Sequence, residues 1–114
     1  MATYSKLVLS GSTNGKAIMV HAAGTAGTTI HTAGAGTANA DEIWLYAVNN
    51  GSTAKKITLE WGEATANFEI TIAGESGLTL VVPGLILNNG LTVACYCETV
   101  DVVYIHGYVN RITA

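Results

Sequence analysis

Charged side chains are scarce in this sequence. Five Lys and Arg and eight Asp and Glu make up 11% of its 114 residues, against about a quarter in a typical soluble domain. With a net charge of -3 and so few basic residues, the chain cannot build a basic stripe along a phosphate backbone, and we expect no nucleic-acid partner. The same shortage excludes a polybasic membrane-surface patch, so we expect no membrane partner.

The sequence also has no long apolar run and no cysteine framework, and we expect no secretory leader. The sequence contains no stretch of about 18 apolar residues, the length needed to cross a bilayer. Residues 1–6 lack the basic start and apolar run of a signal peptide, so we expect synthesis and retention in a cytosol. The two cysteines, Cys95 and Cys97, stand one residue apart in a strand-like segment and are predicted to be reduced core side chains.

Hydrophobic residues, 49% of the chain, alternate with polar ones at a period of two, between turns rich in Gly, Asn, Ser and Thr. No segment shows a helical period. The pattern predicts an all-β fold, an antiparallel β-sandwich or jelly-roll-like single domain spanning residues 1–114. The predicted strands cover residues 4–10, 16–22, 28–33, 41–49, 55–62, 67–72, 77–84, 91–98 and 102–112.

The segment 41–49 is apolar on both faces, which indicates a central strand covered on both sides. The turn-forming run 49–52 predicts that this strand forms a hairpin with 55–62. Ile57, Leu59 and Trp61 are expected inward on that second strand, and the residues between them outward. The only proline, Pro83, cannot donate to a ladder and therefore marks a strand end or an edge.

Reactive groups show no convergence on a catalytic or cofactor site. His21, His31 and His106 match no compact metal-ligand spacing and are predicted to be surface or interface residues, while Cys95, Cys97 and His106 lack an obvious fourth ligand. Neither a G-x-S-x-G elbow nor a phosphate loop is present. We therefore expect no enzyme, metal or cofactor. The acidic residues are expected mostly on solvent faces or in turns: Asp41, Glu42, Glu60, Glu63, Glu69, Glu75, Glu98 and Asp101.

Aromatic residues recur on one side of two predicted strands: Trp44, Tyr46, Tyr104, His106 and Tyr108. Such a face can be covered by the second layer of a sandwich or by another subunit, and its rings can also stack on sugars. Because a chain with so few charges is suited to being covered by other proteins, we predict that these five residues form a subunit interface.

Four segments carry a family resemblance: TTIHTA (28–33), DEIWLYAVNN (41–50), VVPGLILNNGLTV (81–93) and HGYVNRI (106–112). The chain resembles small virion proteins of tailed phages, in particular capsid decoration (cement) proteins. The resemblance implies a homo-oligomer, expected to be a trimer, that binds the major capsid protein on the outer capsid surface of the virion and stabilises the shell. The alternative is a carbohydrate-binding or tail-associated β-sandwich module.

Overall fold

A computed structural model describes residues 2–113, and this part of the chain is all-β, without helices. Met1 and Ala114, which belong to the predicted domain 1–114, lie outside the described residues. None of the described segments is a helix long and apolar enough to span a membrane. The strands are β1 (Thr3–Val8), β2 (Ile18–Met19), β3 (Thr28–Thr32), β4 (Ala40–Asn49), β5 (Lys55–Trp61), β6 (Asn67–Ile72), β7 (Thr79–Leu87), β8 (Thr92–Cys97) and β9 (Val103–Thr113).

The strands form two sheets that pack face to face, which confirms the predicted antiparallel β-sandwich. Sheet A has the order β1-β9-β4-β7, with β2 also paired to β9, and sheet B has the order β3-β8-β5-β6. Every pairing is antiparallel. As predicted, the strand at 41–49 is central, because β4 lies between β9 and β7.

The predicted hairpin between β4 and β5 is wrong, because the two strands belong to different sheets. The buried side chain of Asn49 explains the difference. Its amide Nδ2 donates to the carbonyls of Thr53 (2.9 Å) and Ile72 (3.0 Å), and its Oδ1 accepts from the Gly51 amide (2.9 Å). These bonds tie the connection to the end of β6 and carry the chain across to sheet B.

The core lies between the sheets and is built from the alternating residues that the sequence pattern indicates. Ile43, Leu45 and Ala47 of β4 face this core with no exposed surface. Both cysteines are buried and free, as predicted. The other fully covered core side chains are Val20, Ile30, Ile57, Leu59, Ile72, Val82, Val93, Cys95, Val103, Ile105 and Val109.

Turns and edges follow the local sequence. In the Asn-Gly turn 88–91, Asn89 and Gly90 both have positive φ (58° and 70°), and the Leu91 amide donates to the Asn88 carbonyl at 3.2 Å. This is the pattern of a type I′ turn. Pro83 lies inside β7 rather than at its end, and β7 is an edge strand with two register shifts, which confirms the edge alternative for Pro83.

Candidate interaction surface on sheet A

The five aromatic-face residues lie together on the outer face of sheet A, the side turned away from sheet B. The β4–β9 register places Trp44 opposite Tyr108 and Tyr46 opposite His106, while Tyr104 lies opposite Val48. Directly opposed residues point to the same face, so the five side chains form one surface. All five are half-buried. Sheet B packs against the inner face of sheet A. The second layer of the sandwich therefore does not cover these five residues.

Neighbouring strands extend this surface with apolar side chains. Val8 of β1 lies opposite Tyr108, Met19 of β2 opposite Tyr104, and Leu80 of β7 opposite Tyr46. These three side chains are 52%, 41% and 48% exposed, respectively. We call the resulting set the apolar rows: Val8, Met19, Trp44, Tyr46, Val48, Leu80, Tyr104, His106 and Tyr108. The apolar rows contain no Lys, Arg, Asp or Glu.

Two charged residues, Lys6 and Glu42, lie beside the apolar rows on the same face and are already engaged. Lys6 Nζ lies 4.9 Å from the centroid of the Tyr108 ring, within cation–π range. Glu42 Oε1 accepts hydrogen bonds from the Trp44 indole at 2.8 Å and from Asn110 Nδ2 at 2.9 Å. The hydrogen bond from Trp44, and to a lesser extent that from Asn110, lowers the pKa of Glu42. Its carboxylate is therefore charged at neutral pH.

Trp44 is held in a fixed position on this surface. Its ring plane is within 10° of that of Tyr108, with centroids 6.3 Å apart. A Cβ placed on Gly84, which has a φ of 83°, would lie only 2.9 Å from the indole carbon Cζ2. Only glycine allows the backbone of β7 to approach the indole this closely. The Trp44 ring is therefore in contact with β7 on one side and stacks on Tyr108 on the other. The surface is therefore preformed.

Four polar residues expected outward or at the surface are buried instead: His31 (2% exposed), Asp41 (1%), Thr58 (3%) and Glu60 (4%). For Glu60, the reason is the loop before β3, which folds over the outer face of sheet B. There Glu60 Oε1 accepts from the Gly27 amide at 2.7 Å, and Oε2 accepts from Thr25 Oγ1 at 3.0 Å. The predicted outward orientation of Glu60 is correct, but its expected exposure is wrong.

His31 and Asp41 belong to a buried network that joins the two sheets. His31 Nδ1 accepts from the Ser10 amide at 3.0 Å, so the ring proton is on Nε2 and is donated to Asp41 Oδ2 at 2.7 Å. Arg111 donates to Asp41 through Nε (2.8 Å) and Nη2 (2.9 Å). Burial raises the pKa of Asp41, but the hydrogen bonds from Arg111 and His31 outweigh it and set this pKa at about 2.

The remaining histidines do not join this network into a metal site. His21 is exposed and lies 2.7 Å from Asp101 (Nδ1 to Oδ1), as a surface residue, and His106 lies in the apolar rows. Within residues 2–113, no three His, Cys, Asp or Glu side chains are grouped in a way that could hold a metal ion.

Comparisons with known proteins give no relative: no family model, no curated protein and no solved structure matches this chain.

Proposed function

We propose that this chain is a structural assembly protein of the capsid decoration class. It binds the outer surface of a tailed-phage capsid as a homotrimer, contacts the major capsid protein and stabilises the shell. The apolar rows are its subunit interface. Stabilisation follows from mass action, because a subunit that binds only the assembled shell shifts the equilibrium toward that shell.

The observation that supports this proposal is the uncovered outer face of sheet A. Trp44, Tyr46 and Tyr108 are large rings in the apolar rows, which contain no charged residue, and exposed apolar side chains lie beside them. Aromatic residues are enriched and charged residues depleted at the cores of protein interfaces. A continuous apolar patch of this kind on a lone domain promotes aggregation unless another protein covers it.

We also infer that the sandwich is a jelly roll, the architecture of many viral capsid proteins. Because β1 and β2 both pair with β9, they count as one interrupted strand, which leaves eight strands. The orders β1-β9-β4-β7 and β3-β8-β5-β6 then follow from two Greek-key connections. All pairings except β5–β6 join strands that are not consecutive in the chain, as such connections require.

A shell-binding experiment tests the proposal. Capsids assembled without this protein are incubated with it and sedimented, and the bound copies are counted. We expect saturable binding and a higher melting temperature of the decorated shell. Tyr46→Glu is expected to abolish both, whereas Tyr96→Glu, a matched change on the outer face of sheet B, leaves them intact. A chain that ignores capsids but binds glycans through Tyr108 would overturn the proposal in favour of the carbohydrate-binding alternative.

A further inference from the structure

Strand β1 differs from every other strand in its exposure. All six of its residues are exposed, so neither face of this strand is covered. Tyr4 on the outer side is 71% exposed, and Leu7 on the side that faces sheet B is 36% exposed. Pairing with β9 is therefore the main contact that holds β1 in place, and three sides of the strand are available to a partner.

Apart from Lys6, the free edge of β1 lacks the features that protect sheet edges. Proline and bulges block strand addition; β7 contains Pro83 and two register shifts, and β3 contains a shift between Thr29 and His31. The edge strand β6 has Ile72 buried in the core. β1 pairs with β9, and β6 with β5, through six consecutive residues without a shift, but only β1 has all of its residues exposed. The only charge on β1, Lys6, folds back over Tyr108.

Among antiparallel registers that keep the faces of β1 matched, only those with a two-fold axis at Ser5 or at Lys6 pair five of its six residues. A two-fold axis at Ser5 places Tyr4 of one copy opposite Lys6 of the other, and Thr3 opposite Leu7. Moving the axis to Lys6 would place two like charges directly opposite each other, which is destabilising. In both registers opposed residues share a face, as a continuous sheet requires. Of these two registers, only the Ser5 register avoids the charge repulsion.

We propose that β1 is a self-association edge, at which two copies of the chain pair their β1 strands around a two-fold axis at Ser5. The occupant is a second copy of this chain because the strand complements itself. Pairing makes sheet A continuous across the two copies and joins their apolar rows into one surface. This contact is separate from the proposed contact through the apolar rows and does not depend on a capsid.

The test is a Ser5→Cys variant of the full chain, oxidised with glutathione disulfide. Opposed residues in antiparallel strands have Cα atoms about 4.5 or 5.5 Å apart, within the disulfide range of about 4.4–6.8 Å. The native Cys95 and Cys97 are buried and do not compete. We expect a disulfide-linked dimer that forms at least about tenfold faster than with Tyr4→Cys, because paired strands hold the two Ser5→Cys thiols opposite each other at high effective concentration.

Two outcomes would overturn this proposal. Faster cross-linking of Tyr4→Cys would place the axis elsewhere, and equal slow rates for both variants would show that the edges do not pair. A mixture of Thr3→Cys and Leu7→Cys is the second measurement, and it is expected to give the mixed dimer in preference to either homodimer. Tyr46→Glu in the Ser5→Cys background separates the two contacts, because it disrupts the apolar rows while the dimer still forms.

Discussion

Trp44 of β4 and Tyr108 of β9 stack directly across the strand pair at the centre of sheet A, with near-parallel rings on the side away from the core. A core pair would turn these rings toward sheet B. Their outward position places rigid aromatic area where another protein can bind without first ordering loose side chains, which lowers the entropic cost of association.

If the apolar rows form the proposed subunit interface, Tyr46→Glu is expected to prevent homo-oligomer formation without unfolding the chain. The substitution places a carboxylate in the middle of the apolar rows, where association would bury it unpaired. Sedimentation velocity measures the effect, with circular dichroism to confirm the fold. Tyr96→Glu is the control, because Tyr96 is also half-buried but lies on the outer face of sheet B, opposite Thr58. Equal effects of the two variants would contradict the assignment.

We expect Asp41→Asn to lower the free energy of unfolding by about 3 kcal/mol, the usual cost of breaking a buried ion pair by removing one partner. The amide keeps the shape of the carboxylate but loses its negative charge. That charge pairs with Arg111 and strengthens the hydrogen bond donated by His31. Urea unfolding provides the measurement. Lys56→Gln, which breaks the exposed pair with Glu69, is the control and is expected to cost less than about 1 kcal/mol.

The pH dependence of stability follows from the same carboxylate. The pKa of Asp41 is lowered from 3.8 to about 2 in the folded chain, so its contribution is complete above the unfolded value near pH 4 and is lost as the pH falls toward 2. The loss amounts to roughly 2 kcal/mol. Urea midpoints between pH 2 and pH 5 are expected to fall more steeply for the wild type than for Asp41→Asn. Parallel curves would exclude this linkage.

We expect the cysteines to resist thiol reagents in the folded chain. Burial, with smaller contributions from Cys97 and Glu60, raises the pKa of the Cys95 thiol to about 12, and the thiolate is the reactive form. Cys97 is only 2% exposed. A colorimetric thiol assay at pH 8 is expected to detect neither thiol before denaturation and both afterwards; rapid reaction of the native chain would contradict the core placement.

Gly84→Ala is expected to destabilise the chain more than Gly36→Ala does. Both glycines have a φ near 80°, so each alanine carries a similar backbone cost of about 1 kcal/mol. Only at Gly84 would the new Cβ meet the Trp44 ring, since nothing lies within 4 Å of that position at Gly36. The difference in unfolding free energy, together with a shift in tryptophan fluorescence, isolates the contact with the indole.

The sequence was sufficient to predict most of the strands and the sandwich, but not which strands pair in each sheet. Alternation assigned Ile43, Leu45 and Ala47 to one face of a central strand, because a half-buried sheet imposes a period of two. The partner of β4 was misassigned because the turn-like residues after Asn49 are held by side-chain bonds to Ile72, a contact 23 residues away. Local turn preferences contain no information about such a contact.

The candidate surface was found from the sequence, whereas the buried network was not. Period-two alternation placed Trp44 and Tyr46 on one side of their strand, and the β4–β9 pairing then brought them beside Tyr108. Asp41 was expected at the surface because carboxylates are rarely buried. The Arg111 guanidinium that makes its burial favourable is 70 residues away, and only the folded sheet brings the two together.

The mass of the native chain in solution tests the central claim most directly, that the apolar rows are covered by other copies of this chain. Analytical ultracentrifugation over a range of concentrations is expected to give three times the 11.8 kDa of one chain, or twice that unit where β1 edges also pair. Tyr46→Glu is expected to remove the three-chain unit. A mass of one chain at every concentration, with the apolar rows in contact with solvent, would contradict the claim.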